Sequence, residues 1–180
     1  MKTCYLSFFL IILCHPLMAQ DILVDRQSRI SFFSSALLED ITASSSRASS
    51  ALNIVTNEVA FKVPIKSFEF KRRLMQQHFN ENYMESDKYP YATFTGKIIN
   101  MIDLNQVGRH RVTVTGDLEI HGIKQRYTSQ VELDVKEDRI TAQTTFNVKL
   151  ADHQIKIPRV VTRNIAEVVE VNVSATYQSK

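Results

Sequence analysis

Apolar and polar side chains alternate with a period of two along most of this chain. Val59, Phe61, Val63 and Ile65 stand against Glu58, Ala60, Lys62 and Pro64. Ala92, Phe94, Gly96 and Ile98 stand against Thr93, Thr95 and Lys97. The same pattern returns at Val112, Val114, Leu118 and Ile120, at Val131, Leu133 and Val135, and at Ile140, Ala142, Phe146, Val148 and Leu150. Val169, Val171, Val173 and Ala175 close the series, and Ile30 and Phe32 begin an earlier one that Phe33 interrupts. Such alternation predicts half-buried antiparallel strands. Asn105-Gln106-Val107-Gly108, His121-Gly122 and Glu137-Asp138 separate the runs as hairpin turns. About seven or eight short strands, each with one apolar face, predict a sandwich or a barrel. Gly96 and Gly116 lie inside strand patterns, where glycine predicts a bulge or a sharp bend. The serine-rich run 44–50 reads as a polar strand or loop face.

One segment changes period. Met75, Phe79 and Tyr83 are spaced by four, with Leu74 and His78 on the adjoining row, and Pro90 forbids continuation. This predicts one amphipathic helix over about 71–85. A shorter helical turn is expected near Arg163 to Glu167. Lys71-Arg72-Arg73 precedes the apolar stripe. Positive charge there opposes the helix dipole, so these residues belong to a solvated loop or face an anion such as a lipid phosphate.

The N-terminus follows other rules. Lys2, the apolar run Tyr5 to Leu13 and the Cys14-to-Gln20 segment have the form of a secretory signal peptide. The run is too short to span a bilayer. Residues 1–19 are therefore expected to be removed, with cleavage after Ala19 or Gln20, leaving 20–180 as a single secreted domain. Both cysteines, Cys4 and Cys14, lie in the leader, and Ile12-Leu13 does not suit a lipoprotein signal. The domain then holds no thiol, disulfide or cysteine metal site. The chain carries 22 Lys and Arg against 19 Asp and Glu, net +3. A balance so small and mixed gives no reason to expect nucleic acid.

The sequence offers little catalytic chemistry. It has no Gly-x-Ser-x-Gly element, and its four glycines are too sparse for a phosphate loop or a dinucleotide fingerprint. His78, His110, His121 and His153 show no paired ligand spacing. Neither an enzyme nor a cofactor or metal is expected. The apolar face serves equally as a filled core or as the wall of a ligand cavity, and the pattern leaves both open. By strand parity the cavity candidates are Phe94, Ile98, Val112, Val114, Leu118, Ile120, Phe146 and Val148, with Met75 and Phe79 closing one end from the helix. His121, Lys124 and Arg126, at or just after a hairpin turn, either meet a polar head group at a barrel rim or serve as turn hydrogen bonders on a solvated edge.

Tyr83 to Phe94 with its Tyr89-Pro90 break, Val114 to Gly122 with His121-Gly122, and Phe146 to Asp152 with Ile157-Pro158 together resemble the YceI-like family of bacterial periplasmic lipid- or polyisoprenoid-binding proteins. Tyr83 to Phe94 resembles its helix end, Tyr-Pro and following strand, here Tyr89-Pro90 and Thr93-Phe94. Val114 to Gly122 resembles its Gly-x-Leu-x-x-x-Gly hairpin strand, His121-Gly122 included. Phe146 to Asp152, Ile157-Pro158 and the terminal valine-rich strand resemble its closing segment. The resemblance implies a lipocalin-like antiparallel β-barrel of about eight strands with a helix near one end. It also implies a periplasmic protein that sequesters or carries an amphiphilic lipid, a polyisoprenoid or a fatty acid, with no stable membrane span. A homodimer is compatible with this reading. Two departures stand out: Ile41 to Arg47 replaces a glycine-rich stretch near the cavity entrance, and Asp152-His153-Gln154 replaces an Asp-Phe-Gly-like element. The first leaves the ligand's identity open. The rival reading is an envelope interaction domain with a filled barrel, and a small lipid hydrolase ranks last.

Overall fold

A computed structural model describes residues 21–35, 40–100, 102–104, 106–157 and 166–178. The expected signal peptide, and most of the turn expected near Arg163 to Glu167, lie outside the described residues. The alternating runs form strands β1 (Ile22–Ser34), β2 (Ile41–Asn53), β3 (Glu58–Pro64), β5 (Tyr91–Ile98), β6 (Gly108–Ile120), β7 (Ile123–Val135), β8 (Arg139–Lys149) and β9 (Val168–Gln178). A two-residue strand, β4 (Glu69–Phe70), lies at the edge of β2. The strand order is β1-β9-β8-β7-β6-β5-β3-β2, and β2 pairs back onto β1. Eight antiparallel strands therefore close into a barrel, as expected. Among the described residues, closure leaves β4 as the one edge strand.

Local chemistry explains the hairpins. His121 and Gly122 form a two-residue turn between the paired Ile120 and Ile123, with φ of 54° and 74°. Two positive φ angles give the turn whose twist matches its flanking strands, and glycine makes the second inexpensive. Gly96 and Gly116, by contrast, mark no bulge. They sit opposite each other on β5 and β6, and the register runs through both without a shift. A Cβ on Gly96 would lie 2.6 Å from Phe94 Cζ and 2.5 Å from the Thr115 carbonyl oxygen. The glycines provide the space in which the Phe94 ring lies flat along the inner wall.

The helix is shorter than expected. Helix α1 spans Arg73–His78 and runs directly into one π-helical turn, Phe79–Tyr83. Lys71 and Arg72 precede its first turn, and Leu74 is 61% exposed. The wider π turn carries Phe79 and Tyr83 over the barrel mouth beside Met75, while Leu74 faces away.

The first hairpin places four serines on its inward face among Leu23, Ile30, Ala43, Ala48 and Leu52. Ser28, Ser34, Ser45 and Ser50 are all buried. Ser28 and Ser50 share a hydrogen bond of 2.8 Å, Ser45 bonds Ser67 at 2.7 Å, and Ser34 Oγ accepts the Ala166 N–H at 3.0 Å. Each hydroxyl has a partner, which is what allows it to be buried.

Two plugs bound the interior. Leu23, Leu52, Ile98, Leu104, Val112, Leu133, Val135, Ile140, Ala175 and Tyr177 pack into the floor. At the opposite end Phe32, Phe68, Phe70 and Phe79 cluster beneath the helix, with ring centroids 5.0–5.8 Å apart. Ile65, Met84 and Ile155 add a third cluster beside them.

Candidate functional site

Between the plugs lies a cavity of about 390 Å³. That lies within the ~300–1,000 Å³ range of small-molecule sites. All ten side chains singled out by parity and helical spacing line it: Met75, Phe79, Phe94, Ile98, Val112, Val114, Leu118, Ile120, Phe146 and Val148. The arrangement follows from period two: strands β5, β6 and β8 each turn one row of side chains inward. The sequence reading missed a second set. Phe32, Phe68, Phe70, Met84, Tyr127 and Ile155 also line the cavity. Phe68, Met84 and Ile155 lie outside the strands, where no period points to them. Tyr127 does share the inward parity of Val131 and Leu133, so alternation extended down β7 would have found it.

The head-group candidates sit elsewhere. Lys124 Nζ lies 3.6 Å from Glu119, and Arg126 donates to Asp117 at 3.0 Å, both pairs between outward-facing residues of β6 and β7. Both cations are mostly exposed, so these pairs contribute little to stability. His121 lies 3.2 Å from Glu85 Oε1, donates through Nδ1 to the His153 carbonyl at 3.3 Å, and packs against Tyr89 at 4.5 Å between centroids. None of the three lines the cavity. They serve the outer surface and the β6–β7 turn.

Polar side chains also reach the cavity lining, among them Lys62, His78, Gln143 and the hydroxyls of Ser129 and Thr144. Ser129 and Thr144 share a hydrogen bond of 2.8 Å, and Thr144 Oγ1 donates to the Gln130 carbonyl at 2.7 Å. Tyr127 stacks on His153 with an interplanar angle of 15° and meets its Nε2 at 3.1 Å. His153 belongs to a 3-10 turn, Leu150–His153, and is 0% exposed. Its Nδ1 lies 3.0 Å from the Ile123 carbonyl. A carbonyl only accepts, so Nδ1 carries the proton, and Nε2 is left to accept the Tyr127 hydroxyl.

Burial holds the His153 pKa below the ordinary imidazole value, against an opposing pull from its bond to the Ile123 carbonyl. Burial likewise raises Tyr127, with the Asp152 charge adding to it. The folded state disfavours imidazolium, so the contribution of neutral His153 is complete above the unfolded value of about 6.5 and is lost as pH falls through it. Urea midpoints measured near pH 7.5 and near pH 5 should drop more for the native chain than for His153→Gln, which cannot titrate. Equal drops would remove His153 from the acid response.

No group of three or more His, Cys, Asp or Glu among the described residues is placed to hold a metal ion. No helix among them is long and apolar enough to cross a membrane. A family model described as a YceI-like domain matches residues 23–177. The comparison with curated proteins gives no match. Among solved structures, a polyisoprenoid binding domain from Saccharophagus degradans, implicated in plant cell wall breakdown, is 18% identical. It covers 89% of this chain and 99% of its own, with a TM-score of 0.76. Burkholderia cenocepacia BcnA is 17% identical over 83% of this chain and 95% of its own, at 0.69. A Campylobacter jejuni YCEI protein is 15% identical over 100% and 99%, at 0.57. At these identities the neighbours establish a shared barrel.

Proposed function

The chain belongs to the YceI-like domain family, and we propose from that premise that it is a secreted, periplasmic binding protein which holds the apolar tail of an amphiphilic lipid in its barrel. One observation carries the reading: the 390 Å³ cavity is walled by apolar side chains from the barrel strands and the helix. A barrel filled by its own phenylalanines would leave no such space, so the cavity counts against the filled-barrel alternative. The rings of Phe32, Phe68, Phe70 and Phe79 gather at one end instead of filling the middle. The polyisoprenoid-binding neighbour supports an isoprenoid or fatty chain as the class of ligand.

The chemistry is that of binding, and no catalysis is assigned. Ser129 and Thr144, the hydroxyl pair on the cavity wall, are occupied with each other and with a backbone carbonyl. Neither has a base beside it that would activate a nucleophile. Burial of about fifteen methylenes at ~0.8 kcal/mol each gives ~12 kcal/mol, and a cost of ~4 kcal/mol for immobilising the ligand leaves ~8 kcal/mol, roughly micromolar affinity. A leader removed after Ala19 or Gln20 would deliver the domain to the periplasm.

The fluorescent fatty acid cis-parinaric acid tests this reading. It should bind saturably, near one per chain and at about micromolar Kd, and a long-chain isoprenoid alcohol should displace it. Fluorescence that rises without saturating, or that the isoprenoid leaves unchanged, contradicts a defined site.

A further inference from the structure

Among the described residues apolar clusters pack at the two ends of the barrel, and the wall between them offers a further route to the cavity. The seams between strands are not equally closed. Strand β6 pairs with β7 along thirteen consecutive positions, Gly108–Val135 to Ile120–Ile123, and β8 pairs with β9 along eleven. Strand β7 pairs with β8 at four, and the ladder stops at Glu132–Gln143. Below that point β7 and β8 continue as strands held by their other neighbours.

The unladdered stretch lies directly over the cavity. Tyr127, Ser129 and Val131 on one side, and Thr144, Phe146 and Val148 on the other, all line it. Side chains close the seam in place of backbone. At its upper edge Thr144 Oγ1 donates to the Gln130 carbonyl, and in its middle the Tyr127 and Phe146 rings meet edge to face at 5.9 Å. At its lower edge the Leu150–His153 turn folds back onto β7. There His153 bonds the Ile123 carbonyl and the Tyr127 hydroxyl, and Gln125 Nε2 donates to the Asp152 carbonyl at 2.9 Å.

Other short ladders lead nowhere comparable. Strands β1 and β9 pair at five positions, but where they part Asp25 accepts the Thr176 N–H at 2.9 Å, and Leu23 and Tyr177 of the packed floor lie there. Strands β2 and β3 pair at four, and β4 takes over along β2, with Ser45 tied to Ser67. Opening a laddered seam breaks several backbone hydrogen bonds together, whereas parting side chains needs only rotamer changes.

We propose that the β7–β8 seam is the passage by which an apolar chain enters and leaves the cavity, with the Tyr127–His153 pair as its latch. The passage rests on the reading of the cavity as a lipid site. It places the moving parts in side chains and one short turn, and it leaves helix α1 as a fixed roof.

The test locks the seam. In a full chain carrying Cys4→Ser and Cys14→Ser, Thr128→Cys and Asn147→Cys place two thiols on the outer face across the gap. A reducible bifunctional methanethiosulfonate then bridges them. Stopped-flow uptake of cis-parinaric acid, and its release into excess phosphatidylcholine vesicles, should both slow by about tenfold or more on bridging, with Kd unchanged, and recover on reduction. The same reagent across the laddered β6–β7 seam, at Thr115→Cys and Thr128→Cys, should leave both rates alone. Tyr127→Phe, which removes the hydroxyl bonded to His153, should exchange several-fold faster than the native chain. Unchanged rates after bridging β7 to β8 overturn the passage, as does a loss of affinity that matches the loss of rate. A native rate in Tyr127→Phe overturns the latch. Failure of the unbridged chain to take up the probe overturns the lipid reading itself, and the passage with it.

Discussion

Gly116→Val is expected to lower the free energy of unfolding by about 1–3 kcal/mol, the usual cost of forcing extra methyl groups into filled space. The cause is backbone, which gives little. A Cβ on Gly116 would lie 2.5 Å from the Gly96 Cα and 2.5 Å from the Thr95 carbonyl oxygen, both on the neighbouring strand. It would also lie 2.6 Å from Phe94 Cζ. The ring can rotate away, but the strand moves only if the β5–β6 ladder opens. Urea unfolding measures the loss as a lower midpoint at unchanged slope. Phe94→Ala in the same chain should relieve part of the loss and not all of it, because the two backbone contacts remain. A native midpoint for Gly116→Val would show that the two strands do not approach so closely.

The second large effect falls on binding. Val114 lies on β6 between the register partners Ile98 and Ser129, partly buried and facing the cavity. Val114→Trp directs an indole into that space from the edge of the floor cluster, against which Val114 packs. It should weaken cis-parinaric acid binding by at least about 100-fold, or ~2.7 kcal/mol. Stability should fall by no more than about 1–3 kcal/mol, the usual cost of an enlarged side chain crowding its packed neighbours. The outward Thr115→Trp change on the same strand should bind as the native chain does. Equal loss in both variants would mean that the probe sits on the outer surface.

Much of this architecture was legible because period two survives even when individual positions deviate. Strands β3, β5, β6, β8 and β9 were readable from their valines, isoleucines and phenylalanines. The first hairpin was harder to read. Its inward positions at Ser28, Ser45 and Ser50 look polar, and only the Ser28–Ser50 and Ser45–Ser67 pairs make them compatible with burial. Such pairing joins residues far apart in sequence, so local pattern does not reveal it. The helix boundaries failed for a related reason. Spacing by four fits both an α-helix and its widened π turn, and the bond from the Met84 N–H to the Phe79 carbonyl, five residues back, marks the π turn.

The glycines carried a correct alarm and a different meaning. Gly96 and Gly116 do mark a special place in the wall, but that place is a seat for Phe94 and not a bend. The Asp152-His153-Gln154 departure likewise gained physical content. His153 fills the buried position where the resemblance has phenylalanine, and Gln154 takes φ of 56° where the resemblance has glycine. A ring with two nitrogens then ties the closing turn to β7, which an apolar ring cannot do. The head-group candidates were chosen from their place near a turn. Place alone gives no information on partners, and Glu119 and Asp117 across the β6–β7 ladder are the residues that engage Lys124 and Arg126.

The central claim is that the cavity holds a lipid chain. Native mass spectrometry of the protein, secreted from a bacterial host and purified without detergent, tests it most directly. The account predicts a population heavier than the polypeptide by the mass of one amphiphile, released on collisional activation and absent from Val114→Trp. A native chain at the bare polypeptide mass, which stays there after incubation with isoprenoid and fatty-acid mixtures, would contradict it.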